Sequence, residues 1–508
     1  MNHTRKYLIG AQVLRHANAQ VQAQNILIED GKIAALLPPN TRVEDAQQVD
    51  VSGMLIHPGL VNAHTHSHSG LSKGLADRWS LELLLAAGSD LYGSHRQHEK
   101  YVSTLVIAAE LALKGCTAVY DMTLEIPAPS HEGTEAVARA YAEIGLRAVI
   151  APMVSDIHFF QTVPGLMERL PEDIQNSFST PAPASAAISN MQSILEEALR
   201  SWLKAYPTVK LALAPTIPLH CSDELWKGCL GLAQKYGLSM QSHLLESKVQ
   251  ALSGLAKYGK TITAHLEELG VLGPNFVASH GVWLDDDDMH LLSQAGASVS
   301  HNPSSNMLLG SGMPDIRRMM EHGINISLGT DGSNCSDSLN MYESMRTALR
   351  ISHVLSPDVS LWLCARDVFK MATENGARAL GIQGIGRIDE GYQADLVMLD
   401  LSHPNWLPMN DCVTQIAQGE DATAVHSTMV AGQWIVRDYK LVNQRFSRIS
   451  ELVQTTMAQL KARQQDDAGI YKRIAPVISC FCPALMKQPY IVERFACPID
   501  GNSAHHGN

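Results

Sequence analysis

A chain of 508 residues exceeds one hydrophobic core of ordinary size and suits a (β/α)8 barrel carrying a second small domain. With 45% hydrophobic and 18% charged residues it is globular rather than disordered, and a formal net charge of -12 excludes nucleic acid and acidic membrane surfaces as main partners, because phosphate binding needs concentrated Lys and Arg. A small, uncharged or weakly charged substrate is expected, in a cytoplasmic setting that keeps nine scattered cysteines reduced, with neither a secretory leader nor a membrane helix.

In chain order, residues 6–62 read as short strands and turns, and the Asp30-Gly31 pair between apolar runs is a hairpin signal. Similar strand patterns return at 394–400 and 429–436, so residues 1–62 and 394–443 are expected to pair into one small β-sandwich domain. Between them, over 63–393, strand-like apolar runs alternate with helix-length amphipathic segments, the mark of a parallel sheet with crossover helices. Eight strands centre on 60–63, 118–120, 148–150, 211–213, 240–242, 276–278, 297–299 and 324–327, the number at which such a barrel closes. The fold class is therefore α/β, a (β/α)8 TIM-like barrel with a β-sandwich from both chain ends. Phe446, Ile449, Leu452, Val453, Met457 and Leu460 then recur at helical spacing, giving a helix over 444–465 that packs on the barrel or on a partner subunit of a homo-oligomer. In 466–508, Cys480, Cys482, Cys497, His505 and His506 fit no usual zinc spacing, and that segment reads as a loosely ordered terminus.

Chemistry in a parallel barrel sits at the C-terminal ends of its strands. His64 and His66 end the first predicted strand, His243 the fifth, His280 the sixth, His301 the seventh and Asp331 the eighth. Side chains two apart on a strand share a face, so His64 and His66 can grip one ion. Burying six such groups at five strand ends without a metal costs several kcal/mol, about 2–7 for each unpaired polar group, so one divalent cation is expected here. Neutral imidazoles with a carboxylate suit Zn²⁺ in an open catalytic site, and Fe²⁺ or Mn²⁺ as well.

The motifs around these residues resemble the amidohydrolase superfamily, in its deaminase and triazine-hydrolase branch, over roughly residues 6–443. They are the run 58–66 ending His64-Thr65-His66, His243-Leu244-Leu245-Glu246, Ser279-His280-Gly281-Val282, the run 301–306 from His301 to Asn306, Gly329-Thr330-Asp331-Gly332, and the return 391–397 into the β domain. The resemblance implies the same barrel and β-sandwich, with His64, His66, His243 and Asp331 as metal ligands. It gives Glu246 the role of proton shuttle, His280 that of polarising the substrate or steadying the attacking hydroxide, and Asp331 that of accepting the water proton. Two-metal relatives bridge their ions through a lysine at the end of the fourth strand. Here that strand ends Ala214-Pro215-Thr216 with Lys210 at its other end, which implies a single metal.

His68 reads as a loop histidine near substrate rather than a further ligand, Asp285 to Asp288 as the cap and first turn of a helix, and Trp79 either as a stacking platform for a flat ring or as helix packing. His301 and Asn306 are taken as substrate contacts. The expected activity is removal of an exocyclic amino group from a nitrogen heterocycle such as a free base, pterin or s-triazine by attack of hydroxide. Well-known members of that branch deaminate S-adenosylhomocysteine and methylthioadenosine, but their ribose-binding glutamate has no counterpart in 83–88 and their Pro-His-x-Pro reads Pro215-Thr216-Ile217-Pro218. Such a nucleoside deaminase, a cyclic amide hydrolase, a triazine chlorohydrolase and a non-catalytic barrel scaffold are the alternatives.

Overall fold

A computed structural model describes residues 5–92, 95–178, 183–336, 338–463 and 469–496. Strands from the two chain ends meet in one nine-stranded sheet: β1 (Arg5–Val13), β2 (Gln22–Glu29), β3 (Lys32–Leu37), β4 (Gln47–Asp50) and β5 (Met54–Pro58) from the first part of the chain. Two parallel sheets follow, one of β6 (Leu60–His66), β7 (Cys116–Thr123), β8 (Arg147–Val154), β9 (Val209–Leu211), β10 (Ala214–Pro215) and β15 (Asp331–Gly332). The other holds β11 (Met240–Leu244), β12 (Phe276–His280), β13 (Ser298–His301) and β14 (Asn325–Leu328). The chain then re-enters the nine-stranded sheet through β16 (Leu396–Asp400), β17 (Val425–Val430), β18 (Gln433–Arg437) and β19 (Lys440–Leu441).

The nine-stranded sheet runs β19-β18-β17-β16-β5-β1-β2-β3, with β4 alongside β1. Its β5–β16 pairing is antiparallel and joins strands from the two chain ends in one sheet. Asp30 and Gly31 take φ of 50° and 81° between β2 and β3, the left-handed pair that a two-residue hairpin turn needs. Ala431 and Gly432, with φ of 47° and 69°, break the predicted 429–436 strand into β17 and β18. A side chain on Gly31 would lie 2.7 Å from the Ala431 carbonyl. Four strand steps separate β2 from β17, roughly 19 Å in a flat sheet, so the sheet is strongly coiled.

The predicted parallel strands are all present, with one interruption. β9 ends at Leu211, and Ala212 N donates to Ile150 O while Leu213 N donates to Ser239 O before β10 resumes. A parallel bridge joins Leu213 to Met240, connecting the two parallel sheets at one edge. At the other edge β15 follows β14 after Gly329 and Thr330 and pairs in parallel with β6. Gly329 is required there, because a Cβ would lie 2.3 Å from Asn302 Oδ1 and 2.8 Å from His64 Cβ.

Arg147 on β8 grips Asp395, just ahead of β16, with Nε at 2.7 Å and Nη2 at 3.0 Å, which latches the parallel sheet to the nine-stranded one. Asp285 caps the helix Asp286–Ala295 by accepting from Asp288 N at 2.8 Å, as its sequence suggests. The helix Phe446–Arg463 buries Ile449, Thr456 and Leu460 and packs on the helix Gln97–Leu113. The expectation of a loosely ordered terminus is corrected: Ile470–Leu485 is helical and buries Ile474, Ile478 and Cys482 against Ala86, Phe159 and Val249. Those three residues lie at i, i+4 and i+8, and the internal Pro476 and Pro483 mask that period in the sequence. Cys497, His505 and His506 lie outside the described residues. Among the described residues no helix is long and apolar enough to cross a membrane.

Candidate metal centre and catalytic site

β6, β11, β12 and β15 deliver His64, His66, His243, His280 and Asp331 to one place. The ligand atoms of His64, His66 and His243 lie within 4.8 Å of one another, as do those of His64, His280 and Asp331. His66 Nε2 stands 3.1 Å from His243 Nε2 and 3.2 Å from Asp331 Oδ1, and His64 Nε2 stands 3.6 Å from the same oxygen.

How the rings are aimed decides what can sit between them. His66 Nδ1 donates to Met122 O at 2.7 Å and His243 Nδ1 to Thr216 O at 2.6 Å, and a carbonyl only accepts. His64 Nδ1 donates to Gln241 Oε1 at 2.9 Å, and His280 Nδ1 to Asn306 Oδ1 at 2.9 Å. With Nδ1 protonated in each ring, all four Nε2 atoms carry lone pairs into a common space, and those of His64 and His280 are buried without a hydrogen-bond partner. Converging lone pairs beside a carboxylate call for a positive charge, so the donor set fits a divalent cation.

The titration directions agree for His243 and His280, whereas at His66 burial is outweighed by the Asp331 carboxylate, which raises its pKa. Burial, then the neighbouring imidazoles, hold His243 well below its usual pKa, and burial brings His280 down to about 4. Burial also opposes ionisation of Asp331, but the adjoining His64 and His66 rings overcome it and keep the carboxyl well below the usual range. Glu246 goes the other way: burial, then the charges of Asp331 and Glu82, push it well above. It is 2% exposed, with Oε2 3.6 Å from His280 Nε2, so it is no surface residue opening a helix; Ser247 caps the helix Lys248–Tyr258 instead. Backbone strain gathers here, since Leu245, His280 and Asp331 all have positive φ, at 49°, 73° and 61°.

A cavity of about 740 Å³ opens onto these groups and is lined by His66, His68, His243, Glu246 and Asp331 among others. His68 Nδ1 accepts from Leu124 N at 3.1 Å, which puts its proton on Nε2. Trp79 packs at 5.1 Å on Tyr471, of the helix Ile470–Leu485, and does not line the cavity. His301 is buried outside the lining, with its pKa lowered by burial to about 3, and Asn306 is engaged with His280. Lys210 points its Nζ to Gly381 O at 3.4 Å, and Thr216, at the end of its strand, offers its carbonyl to His243. Gln241, which aims His64, was not among the sequence candidates. Its place two residues before His243, on the same strand face, is the signal that could have found it.

The amidohydrolase family model matches residues 55–435. A 5-methylthioadenosine/S-adenosylhomocysteine deaminase of Syntrophobacter fumaroxidans is 31% identical over 437 residues, 84% of this chain and 91% of that protein. A 5'-deoxyadenosine deaminase of Methanothermobacter thermautotrophicus is 32% identical over 445 residues, 87% of this chain and 95% of that protein. Among solved structures, an adenosine deaminase of Xanthomonas campestris with bound zinc superposes with a TM-score of 0.77 at 24% identity, covering 90% of this chain and 99% of the other. The zinc complex of an atrazine chlorohydrolase of Arthrobacter aurescens gives 0.77 at 23% identity, covering 89% and 99%. The chain thus belongs to the amidohydrolase family, beside its nucleoside deaminases, and is a hydrolase of carbon–nitrogen bonds other than peptide bonds, of the cyclic-amidine type.

Proposed function

We propose that this hydrolase removes the exocyclic amino group from a purine nucleoside-like heterocycle, using one divalent cation, Zn²⁺ in the first place, held by His64, His66, His243 and Asp331. The observation that carries the reading is the convergence of the Nε2 lone pairs beside Asp331, next to the buried Glu246 carboxyl, whose pKa burial and the charges of Asp331 and Glu82 push well above the usual range. A cation bound there supplies Lewis acidity that lowers the pKa of water toward ~7. Asp331, held ionised, accepts a proton from water. Glu246, with its raised pKa, gives its proton to the ring nitrogen, takes up the proton of the added hydroxyl and passes it to the amino group that leaves as ammonia, and the proton held by Asp331 then restores it. His280, neutral and fixed by Asn306, steadies the attacking oxygen. Lys210, at the wrong end of its strand, supports a single metal.

The cavity size and the deaminase relatives favour a ring bearing a substituent over a bare base, pterin or s-triazine. The bare ring remains the second reading, favoured by Leu84 and its apolar neighbours where a ribose-binding carboxylate is expected. We further infer that the two parallel sheets close as one eight-stranded barrel over 63–393, supported by the Leu213–Met240 bridge and the β6–β15 pairing. The coiled nine-stranded sheet of 1–62 and 394–443 would be the β-sandwich domain, followed by the 444–465 helix. Ammonia release by the zinc-loaded protein from adenine nucleosides, free purines, pterins and aminotriazines, measured side by side, tests the function. Ring opening or chloride release without ammonia overturns it.

A further inference from the structure

The cavity has an unusual charge balance for the substrates its relatives' names suggest. None of the described residues lining it is Lys or Arg, and none of the residues outside the described ranges is Lys or Arg either. Its remaining wall is apolar, with Leu81, Leu84 and Leu85 of the helix Leu81–Tyr92 facing the same space as Ile157, Phe159 and Phe178. The polar groups in that wall are already committed or uncharged. Glu125 accepts from Lys100 at 2.8 Å and from both the amide and the hydroxyl of Ser130. Asn190 donates to Pro129 O. Burial brings His158 down to about 4 and His220 to about 3, so both are neutral at physiological pH.

From this wall we infer that the substrate's substituent is uncharged and apolar, so that the enzyme accepts a deoxy- or alkylthio-substituted adenine nucleoside and rejects one ending in an amino-acid zwitterion. The inference rests on the deaminase reading above and narrows it. A carboxylate on the substrate would lose its water and find no cation, and its ammonium would find no free carboxylate outside the catalytic pair of Glu246 and Asp331. A methylthio group or a 5'-methyl carries neither cost and gains contact with the leucine and phenylalanine side chains.

The test compares 5'-methylthioadenosine with S-adenosylhomocysteine, which share the ring and ribose and differ at the tail. With the zinc-loaded full chain, kcat/KM for ammonia release is expected to favour methylthioadenosine by at least tenfold, on the order of 10². In parallel, calorimetric binding of the two matching inosine products is expected to show the same preference. A ratio under tenfold in either assay overturns the inference. Ammonia from neither nucleoside overturns the ring reading, while the inosine affinities still decide the tail. Leu84→Arg, which sets a cation in the wall, is expected to narrow the ratio at least threefold, and a ratio unmoved in a folded variant also counts against the proposal.

Discussion

Replacing Glu246 by Gln should move activity and stability in opposite directions. The carboxyl is 2% exposed and is pushed well above the usual carboxylate range by burial and by the charges of Asp331 and Glu82. As proton shuttle its loss should lower kcat by about 10²–10⁴, or roughly 2.7–5.4 kcal/mol at about 1.36 kcal/mol per decade. As a buried acid it is a burden. Its folded pKa lies above the unfolded value of about 4.3, so the folded state favours the protonated form. The penalty is absent below that pH and grows as pH rises through the folded pKa. Glutamine has no such penalty, so in chelator-dialysed protein Glu246→Gln should be more stable than wild type by about 1–3 kcal/mol at pH 8, and less so at pH 5. Thermal denaturation at both pH values reads this as a rise of roughly 1 °C per kcal/mol for a chain of this length. A variant that keeps near-normal turnover, or whose stability advantage does not change with pH, would refute the argument.

His243→Ala should fold yet lose metal: elemental analysis after gentle purification is expected to find about one equivalent in wild type and almost none in the variant, and two equivalents in wild type would overturn the single-metal site. Asn306→Ala frees the Nδ1 of His280 while touching no proposed metal ligand, so kcat should fall on the order of 10–100-fold with metal content retained; unchanged kcat would return Asn306 to the role of substrate contact. Arg147→Met leaves the 1%-exposed Asp395 carboxylate without its guanidinium partner, and a loss of about 3–5 kcal/mol is expected from urea denaturation. A loss under 1 kcal/mol would mean that the latch contributes little.

The residues that converge at the candidate centre were legible in the sequence because each sits where a strand ends, and strand ends follow from apolar period and turn chemistry. The Asp30-Gly31 hairpin was legible for the same local reason. What escaped depended on partners distant in the chain. Trp79 packs on Tyr471, nearly four hundred positions later, and no local pattern could reveal that. Asn306 aims His280 across 26 positions from inside the short helix Pro303–Leu308, and the motif that singled it out does not say what it touches. The helix Ile470–Leu485 was hidden by two prolines that a helix tolerates only when its packing overcomes the lost hydrogen bonds.

The four imidazoles differ in how exposed their aim is to mutation. His66 and His243 are oriented by the main-chain carbonyls of Met122 and Thr216, which every residue type supplies, so substitution at either position leaves the acceptor in place. His64 and His280 lean on the side chains of Gln241 and Asn306, which one base change can remove. A mutational scan of the positions behind the centre should therefore be lopsided, tolerant at 122 and 216 for any side chain that packs, and intolerant at 241 and 306.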